Sequence, residues 1–368
     1  EVTQRGTASV VGDWLHQVVS SNADPRLRES AERMIQVLDE AAYVPDAPFL
    51  TVIMRTQARK LEALRDALLT LLGQSDQDFE LIIVCHDLEE QDADLIRSIV
   101  EEQPTSFRER ITYLGVTGGG RARPLNEAID SASGQYFAVF DDDDLVLGHW
   151  VETFHAAARK QPERLVRAIA STQSMEGEIW QDGAAGFRAT SWPNTPYPAV
   201  FEYERHLVRN HSPFMSVAFP RELFTFWGAR FDEELEVCED WDLIIRGAYL
   251  LGVNSVEELT AIYRLWTGVT SSYSEHDRTA WETSEKRVRD KLNSRVNFLP
   301  QGAPASIIDS LGHGGALRIG AGAQLDEVLN STSWRLTAPL RWVSTRTRAV
   351  ARRLPRRNQP EGPDQPED

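Results

Sequence analysis

Four consecutive aspartates, Asp141 to Asp144, follow directly on the apolar run Phe137–Phe140. Carboxylates this close together repel one another and raise one another's pKa unless a cation lies between them. Mg²⁺ and Mn²⁺ prefer oxygen ligands and commonly bind one or two carboxylates together with the phosphates of a substrate. The run therefore predicts a site for a divalent cation and a diphosphate. The alternative is that the aspartates only solvate a loop, with Asp144 capping the next helix.

A second acidic group, Glu239, Asp240 and Asp242, lies much further along the chain, where a helix is predicted over Asp240–Leu251. Acidic side chains in a first helical turn interact favourably with the helix dipole. Considered alone, this group therefore favours a capping role over a catalytic one.

Residues 49–140, which must position the aspartates, alternate between short apolar segments and segments of helical periodicity. This alternation predicts an α/β fold in which a mainly parallel sheet is flanked by helices. Ligands bind outside the carboxyl ends of the strands in such sheets, and the aspartates lie at one of these ends. The predicted strands are Phe49–Met54, Leu81–Cys85, Ile111–Leu114 and Tyr136–Phe140, with a later one at Phe214–Phe219.

Three regions are expected along the chain. Residues 1–47 have helical spacing and are predicted to form a helical N-terminal extension. Residues 48–300 are predicted to form the α/β domain. Residues 301–368 are predicted to be a linker followed by a basic amphipathic tail, because small residues give way to a segment with eight Arg and no Lys, Asp or Glu over 335–357.

The net charge of −17 over 368 residues argues against binding to nucleic acid, whose phosphates require a basic surface. Cys85 and Cys238, the two cysteines, give no disulfide framework and suit a reducing compartment. No run of about 18 apolar residues is present to cross a bilayer. We therefore expect a cytoplasmic protein whose membrane contact, where it occurs, is peripheral on the inner face of the cell membrane.

Several motifs together resemble the family 2 inverting glycosyltransferases of GT-A (Rossmann-like) fold, of the bacterial surface-polysaccharide type, over roughly residues 49–275. The resemblance implies metal-dependent transfer of a sugar from a nucleoside-diphosphate sugar to a hydroxyl of a glycan or lipid-linked glycan, with Mg²⁺ or Mn²⁺ as cofactor. The motifs are Val52-Ile53-Met54-Arg55-Thr56, Gly120-Arg121 through Asn126-Glu127-Ala128-Ile129, Gly134-Gln135-Tyr136, Asp141 to Asp144, and Glu239-Asp240-Trp241-Asp242.

The resemblance also implies roles for individual residues. Asp141 and Asp143 form the D-x-D element, in which Asp143 contacts the metal and Asp141 contacts the metal or the nucleotide. Asp240 is the candidate general base, with Glu239 in reserve. The other donor-binding candidates are Arg55, Thr56, Asp87, Arg121 and Arg264. Trp227, Gly228 and Trp241 are weaker acceptor candidates, because tryptophan rings can supply apolar faces for a sugar, although aromatic residues at such positions more often belong to the core.

The sequence departs from the family pattern at two places. Cys85, His86 and Asp87 stand where relatives commonly have paired aspartates, which leaves the identity of the nucleotide base open. Trp266 stands near the position after Tyr263-Arg264 where many relatives have a histidine that helps to hold the metal or the diphosphate.

The stretch Ser331–Arg341 resembles a tail found on bacterial surface-polysaccharide glycosyltransferases. Tryptophan and leucine alternate with arginine over 331–357, which suits the interface of an anionic membrane. The same stretch would also suit docking on the acidic body of the chain itself. A lipid-linked acceptor would explain a membrane-facing tail.

Two other functions are compatible with parts of the pattern. A sugar-phosphate nucleotidyltransferase uses a similar fold and metal, but Met54-Arg55-Thr56-Gln57 lacks the Gly-rich, basic phosphate signature expected after the first strand. A noncatalytic glycan-binding protein of GT-A-like fold would be favoured by loss of one carboxylate group, yet both groups are present.

Overall fold

The computed structural model describes residues 9–21, 24–41, 46–179, 185–267, 277–300 and 302–309. The chain divides into two units, residues 1–304 and residues 305–368. In the second unit only 305–309 are described, and they are helical. The predicted membrane-facing tail, 331–357, lies outside the described residues.

The first unit is an α/β structure built on one mixed sheet. The described strands are β1 Leu50–Thr56, β2 Phe79–His86, β3 Ile111–Val116, β4 Tyr136–Val139, β5 Leu145–Val146, β6 Leu165–Ile179, β7 Ala185–Ala189, β8 Val217–Pro220 and β9 Val253–Thr267. Their order is β3-β2-β1-β4-β8-β6-β9-β5, with β7 paired to β6. The four predicted N-terminal strands are present and mutually parallel, which confirms the predicted fold class.

The sheet changes direction where β8 joins it, because β8 is antiparallel to both β4 and β6. The predicted strand Phe214–Phe219 begins instead as a 3-10 turn, Phe214–Ser216, and only then continues as β8. The long strands β6 and β9 run parallel to each other. They extend the sheet beyond the part that alternation alone predicts.

The described helices of the first unit lie between and around these strands. Their bounds are α1 Val10–Ser20, α2 Pro25–Ala41, α3 Leu61–Leu72, α4 Glu90–Glu101, α5 Thr105–Arg108, α6 Ala122–Ser131, α7 Trp150–Lys160, α8 Tyr203–His206, α9 Glu222–Thr225, α10 Glu239–Leu251 and α11 Arg278–Asn293. The predicted helix at 240–251 is therefore present as α10, one residue longer at its start.

The central strand β1 is buried on both faces, as expected for a parallel strand covered by helices. Val52 and Met54 pack on the side of α3, α4 and α7. Ile53, which points to the opposite face, packs on the side of α6 and α10. The two hydrophobic layers fix the directions of β1 and β4, and hence the position of the residues that follow each strand.

The N-terminal helices α1 and α2 agree with the helical spacing of that region. They form a small hydrophobic cluster with the partly buried side chains of Phe226, Trp227, Leu250 and Phe298. Arg164 also pairs with Asp13 of α1 at 3.0 Å. In the part of the chain that the structure describes, no helix has the length and apolar content needed to cross a membrane.

Candidate active site

The carboxyl ends of parallel strands β1 to β4 meet at one edge of the sheet, and the acidic run begins two residues after β4. The start of α10, with Glu239 and Asp240, reaches the same edge, since Glu239 is paired to a residue of the loop after β3. The two acidic groups of the sequence therefore meet in space.

Alternate residues of the acidic run have different surroundings. The side chains of Asp141 and Asp143 remain 26% and 20% exposed. Asp142 makes a hydrogen bond with the side chain of Thr56, and burial, followed by repulsion from Asp143, raises its pKa to about 7. Asp144 is fully buried, and its Oδ1 accepts a hydrogen bond from the Arg264 backbone N–H at 2.7 Å. It joins the run to β9 rather than capping a helix.

Two basic side chains face the exposed carboxylates. Arg55, at the end of β1, places Nη2 3.9 Å from Asp141 Oδ1. Lys60, just before α3, places Nζ 2.5 Å from Asp143 Oδ2. Both carboxylates thus lie beside a positive charge, which offsets the repulsion between them.

The fit of a divalent cation to this site depends on Asp141 and Asp143. The described residues contain no group of three or more His, Cys, Asp and Glu side chains that converges as a complete metal site. Mg²⁺, however, usually takes one or two carboxylates and completes its shell with water and substrate phosphates. The two partly exposed aspartates fit a cation shared with a diphosphate, not a cation enclosed by protein ligands alone.

The loop after β3 lies against the end of β2. Gly118, Gly119 and Gly120 have φ of 70°, 79° and 61°, a left-handed conformation that glycine adopts without strain. Asp87 holds this loop, because its Oδ1 accepts a hydrogen bond from the Gly118 N–H at 2.6 Å while its Oδ2 lies 3.1 Å from His86 Nε2. The Asp87 side chain is still 43% exposed at this edge.

Arg121 connects the glycine loop after β3 to the start of α10. Its Nε donates a hydrogen bond to Glu239 Oε1 at 2.7 Å, and its backbone carbonyl accepts one from Arg55 Nη1 at 2.9 Å. Burial opposes the charge on Glu239, but Arg121 and then Arg55 outweigh it and hold the pKa of Glu239 below its ordinary value. Glu239 is therefore ionised. Its side chain is only 3% exposed, and its charge is committed to the ion pair with Arg121.

Asp240, the next residue, has a different environment. Its Oδ2 accepts a hydrogen bond from Asn210 Nδ2 at 2.7 Å, and its Oδ1 accepts one from the Trp241 N–H at 2.7 Å. Burial, followed by repulsion from Glu239, raises the pKa of Asp240 to about 7. A carboxylate that titrates near neutral pH and lies close to the acidic run has the properties of a general base.

Asp242 points away from this edge and into a structural ion-pair network. It is 2% exposed, with Arg246 Nη2 at 2.7 Å and Lys291 Nζ at 2.6 Å. Its role is to join α10 to α11.

Arg264 lies beside the acidic run on β9. Its Nη2 donates a hydrogen bond to Asp66 Oδ2 at 2.9 Å, and its guanidinium lies 5.0 Å from the centre of the Phe187 ring. Nε and Nη1 are buried and have no hydrogen-bond partner among the described residues. Buried guanidinium N–H groups without acceptors are suited to a phosphate that arrives with a substrate.

The weaker acceptor candidates lie elsewhere. Trp241 is 2% exposed and donates through Nε1 to the His206 carbonyl at 2.6 Å, so the ring has no free face for a sugar. Trp227 packs against the N-terminal helices. Trp227 and Gly228 line a separate cavity of about 580 Å³ that also involves Arg246 and Phe298, and it follows the later part of α10, away from Asp240. Core packing therefore accounts for Trp241, and Trp227 lies beside the N-terminal helices instead of at the Asp240 edge.

The structure adds residues that the sequence patterns did not single out. Lys60 and Asn210 contact Asp143 and Asp240, and Asp66 pairs with Arg264. Each belongs to a helix start, a loop or a helix surface where a polar side chain is ordinary, so spacing gives no signal. Only the approach of distant segments reveals them.

Residues 51–220 match the family described as Glycosyl transferase family 2. The chain contains a glycosyl transferase family 2 domain. Since the match covers the Arg55, Arg121 and Asp141–Asp144 segments, this glycosyltransferase carries its acidic run within the family domain. The Glu239–Asp240 pair lies beyond the matched residues. The assignment favours glycosyl transfer over the nucleotidyltransferase alternative.

Two curated relatives share part of the glycosyltransferase sequence. The chain is 28% identical over 238 residues to a protein of Escherichia coli (strain K12) named as the colanic acid biosynthesis glycosyl transferase WcaA, covering 61% of this chain and 76% of that protein. It is also 28% identical over 102 residues to the uncharacterized glycosyltransferase MJ1057 of Methanocaldococcus jannaschii, covering 28% of this chain and 34% of that protein.

Among solved structures, the glycosyltransferase is similar to S. aureus TarS 1-349. The complex of TarS with UDP-GlcNAc matches with a TM-score of 0.46 and 15% identity, over 62% of this chain and 61% of that chain. The complex with UDP matches with a TM-score of 0.42 and 14% identity, over 59% and 60% of the two chains. The chain thus spans about three fifths of the TarS chains that it matches.

Proposed function

We propose that this glycosyltransferase moves a sugar from a nucleoside-diphosphate donor to a hydroxyl group of a glycan or lipid-linked glycan, with inversion at the anomeric carbon. The observation that carries the proposal is the chain of contacts Asp141–Arg55–Arg121–Glu239. These contacts join the acidic run, which would bind a cation and a diphosphate, to Glu239. The next residue, Asp240, is a carboxylate whose pKa is raised to about 7.

On the donor side, Asp141 and Asp143 would hold Mg²⁺ or Mn²⁺ together with the donor diphosphate. The cation, when bound, supplies positive charge that stabilises the departing diphosphate. Arg264, close to Asp144, presents buried N–H groups that have no acceptor among the described residues, and we assign it to the diphosphate. Asp87, partly exposed at the ends of β2 and β3, is assigned to the nucleoside, with Arg55, Thr56 and Arg121 shaping the pocket between them.

On the acceptor side, Asp240 takes the proton from the acceptor hydroxyl as the oxygen attacks the anomeric carbon of the donor. The new carbon–oxygen bond forms while the bond from that carbon to the diphosphate oxygen breaks, and the electron pair leaves with the nucleoside diphosphate. A direct displacement of this kind inverts the anomeric carbon. Glu239 remains paired to Arg121 throughout and keeps the pKa of Asp240 raised.

Trp192 is a candidate for acceptor contact in place of Trp227 and Trp241. It is 91% exposed, although the backbone on both sides of it is fixed to β6. Ser191 Oγ accepts a hydrogen bond from the Ser174 N–H, and Asn194 exchanges backbone hydrogen bonds with Thr172. An exposed indole on a fixed backbone suits contact with the apolar face of a sugar.

We propose that the acceptor is a glycan that is extended during cell-surface polysaccharide synthesis. The support is the family domain together with the name of the WcaA relative. The basic stretch 331–357 would bring the enzyme to a lipid-linked acceptor at an anionic membrane. Salt-sensitive flotation with anionic liposomes by the whole chain, and its loss in a 1–325 truncation, would support this part, while equal flotation by both would contradict it.

The donor class is tested by thermal shift with UDP-, GDP-, dTDP- and CDP-sugars, each with and without Mn²⁺. We expect one nucleotide class to raise the melting temperature, and to do so more strongly with Mn²⁺. The absence of stabilisation by every donor would overturn the proposal. Turnover of a nucleoside triphosphate and sugar phosphate, with release of pyrophosphate, would instead favour the nucleotidyltransferase alternative.

A further inference from the structure

Lys60 is held against the acidic site from two sides. Its ammonium lies 2.5 Å from Asp143 Oδ2, with the two side chains 16% and 20% exposed. It also lies 4.6 Å from the centre of the Trp266 ring, a distance at which an aromatic face attracts a cation. Phe187 packs edge-on against the same ring at 5.2 Å. The ammonium is therefore positioned by the Asp143 carboxylate on one side and the Trp266 ring on the other.

The contact with Asp143 is the only hydrogen bond that the ammonium makes to the described residues. A lysine ammonium carries three N–H donors, so the remaining donors are available to oxygen atoms of a ligand. A diphosphate beside Asp143 would supply such oxygens. Lysine is well suited to this because it binds phosphate as a compact point charge.

A divalent cation bound to Asp143 would have to share that carboxylate with Lys60. Metal–oxygen distances for Mg²⁺ are about 2.1 Å, so the cation and the ammonium would both lie within a few ångströms of one carboxylate. Two positive charges at that separation repel strongly in a partly buried site. Without the donor, the ammonium and the cation therefore compete for Asp143.

We propose that Lys60 is a diphosphate-binding residue that neutralises Asp143 in the donor-free enzyme and moves its hydrogen bond from Asp143 to the donor diphosphate, which leaves Asp143 free for the divalent cation. This inference rests on the proposed donor class. It makes cation binding weak until the diphosphate is present, so that cation and donor bind cooperatively. Trp266 keeps the ammonium within reach of both partners.

The first test measures Mn²⁺ binding to the donor-free full chain by the loss of the free-ion electron paramagnetic resonance signal. Lys60→Met keeps the length of the side chain and removes its charge, and should tighten Mn²⁺ binding on the order of tenfold, since the competing charge is gone. Arg59→Met, an exposed neighbour with the same change of charge, should leave Mn²⁺ binding unchanged. Lys60→Arg, which keeps the charge, should remain a weak binder.

The second test measures binding of UDP and of inorganic pyrophosphate at saturating Mn²⁺ by calorimetry. Lys60→Met should weaken both on the order of tenfold, whereas Arg59→Met should not. Unchanged or weaker Mn²⁺ binding by donor-free Lys60→Met would overturn the proposal, as would unchanged pyrophosphate binding. Failure of the proposed donor class would look different: wild type would bind none of the nucleotide sugars, while the Mn²⁺ titration of the donor-free variants would still report on Lys60.

Discussion

The two acidic groups of this enzyme are close in composition but differ in how their charges are balanced. In the run after β4, the outward carboxylates Asp141 and Asp143 face side chains that a ligand can displace, Arg55 at 3.9 Å and Lys60 at 2.5 Å. At the start of α10, Glu239 and Asp242 are 3% and 2% exposed and are committed to protein ion pairs. Exchangeable partners suit ligand binding, whereas permanent partners fix geometry.

The contrast explains why only one residue of the α10 group is a candidate for proton transfer. Glu239 is held ionised by Arg121, and its negative charge adds to burial in raising the pKa of Asp240 to about 7. Two adjacent carboxylates in different environments thus have separated pKa values, which is a common arrangement for acid–base chemistry. The comparison can be tested by removing one partner at a time.

The largest effect is expected for Asp240→Asn. The amide retains the shape of the side chain but cannot accept the acceptor proton, so transfer should fall by about 10²- to 10⁴-fold. Thermal shift by the donor with Mn²⁺ should remain close to wild type, because the donor contacts lie on the other acidic group. Asp94→Asn, an exposed change on α4 with a side chain 65% accessible, serves as the matched control. An active Asp240→Asn enzyme would remove this residue from the base role.

Asp242→Asn should act on stability and leave the chemistry intact. It removes a buried charge that holds Arg246 and Lys291, and breaking a buried ion pair from one side costs about 3 kcal/mol or more. Urea unfolding should show the loss, while the turnover of the remaining folded enzyme should stay within about twofold. A large fall in turnover with unchanged stability would mean that Asp242, and not Asp240 alone, takes part in the reaction.

The sequence predicted some residues of the candidate site and gave no signal for others. Asp141 and Asp143 could be located because they follow a buried strand, and the carboxyl ends of parallel strands converge by geometry. The partners Lys60 and Asn210 could not, since their contacts join residues 60 with 143 and 210 with 240 through loops whose course no periodicity describes. Trp241 stayed a weak acceptor candidate because an aromatic residue beside an acidic pair has the same sequence pattern whether it faces a substrate or, as here, the core.

The same limit applies to the fold. Strands β1 to β4 were predicted because they are short, apolar and separated by helical periodicity. The parallel pairing of β6 with β9 joins residues 165–176 with 253–267, and such a long-range pairing leaves no local signal. Yet this pairing places Arg264 and Trp266 beside the acidic run, so part of the candidate site depends on it.

The pH dependence of transfer should show the influence of Glu239 on Asp240. Asp240 must be unprotonated to accept a proton, and its raised pKa of about 7 means that kcat/KM should increase as pH rises through 7, with about a tenfold loss at pH 6. In Glu239→Gln the negative neighbour is lost, which lowers the pKa of Asp240, so the acidic limb should move to lower pH. An unmoved limb, measured on folded variant, would show that Glu239 does not influence the titrating group.

The smallest effect is expected for Asn210→Ala, which tests whether the base must be oriented. Asn210 donates to Asp240 Oδ2 at 2.7 Å and accepts from the Ser212 N–H at 2.9 Å, so its amide is fixed on both sides. A hydrogen bond to a charged group contributes about 1.5 kcal/mol or more, which corresponds to about tenfold in rate. Because Asp240 and Asn210 are only partly buried, a water molecule would recover part of this contribution. Transfer should therefore fall about five- to tenfold, with donor binding unchanged. Arg209→Ala, an exposed neighbour, is the control, and an equal fall in both variants would mean that loop 207–213, rather than the Asn210 amide, limits the rate.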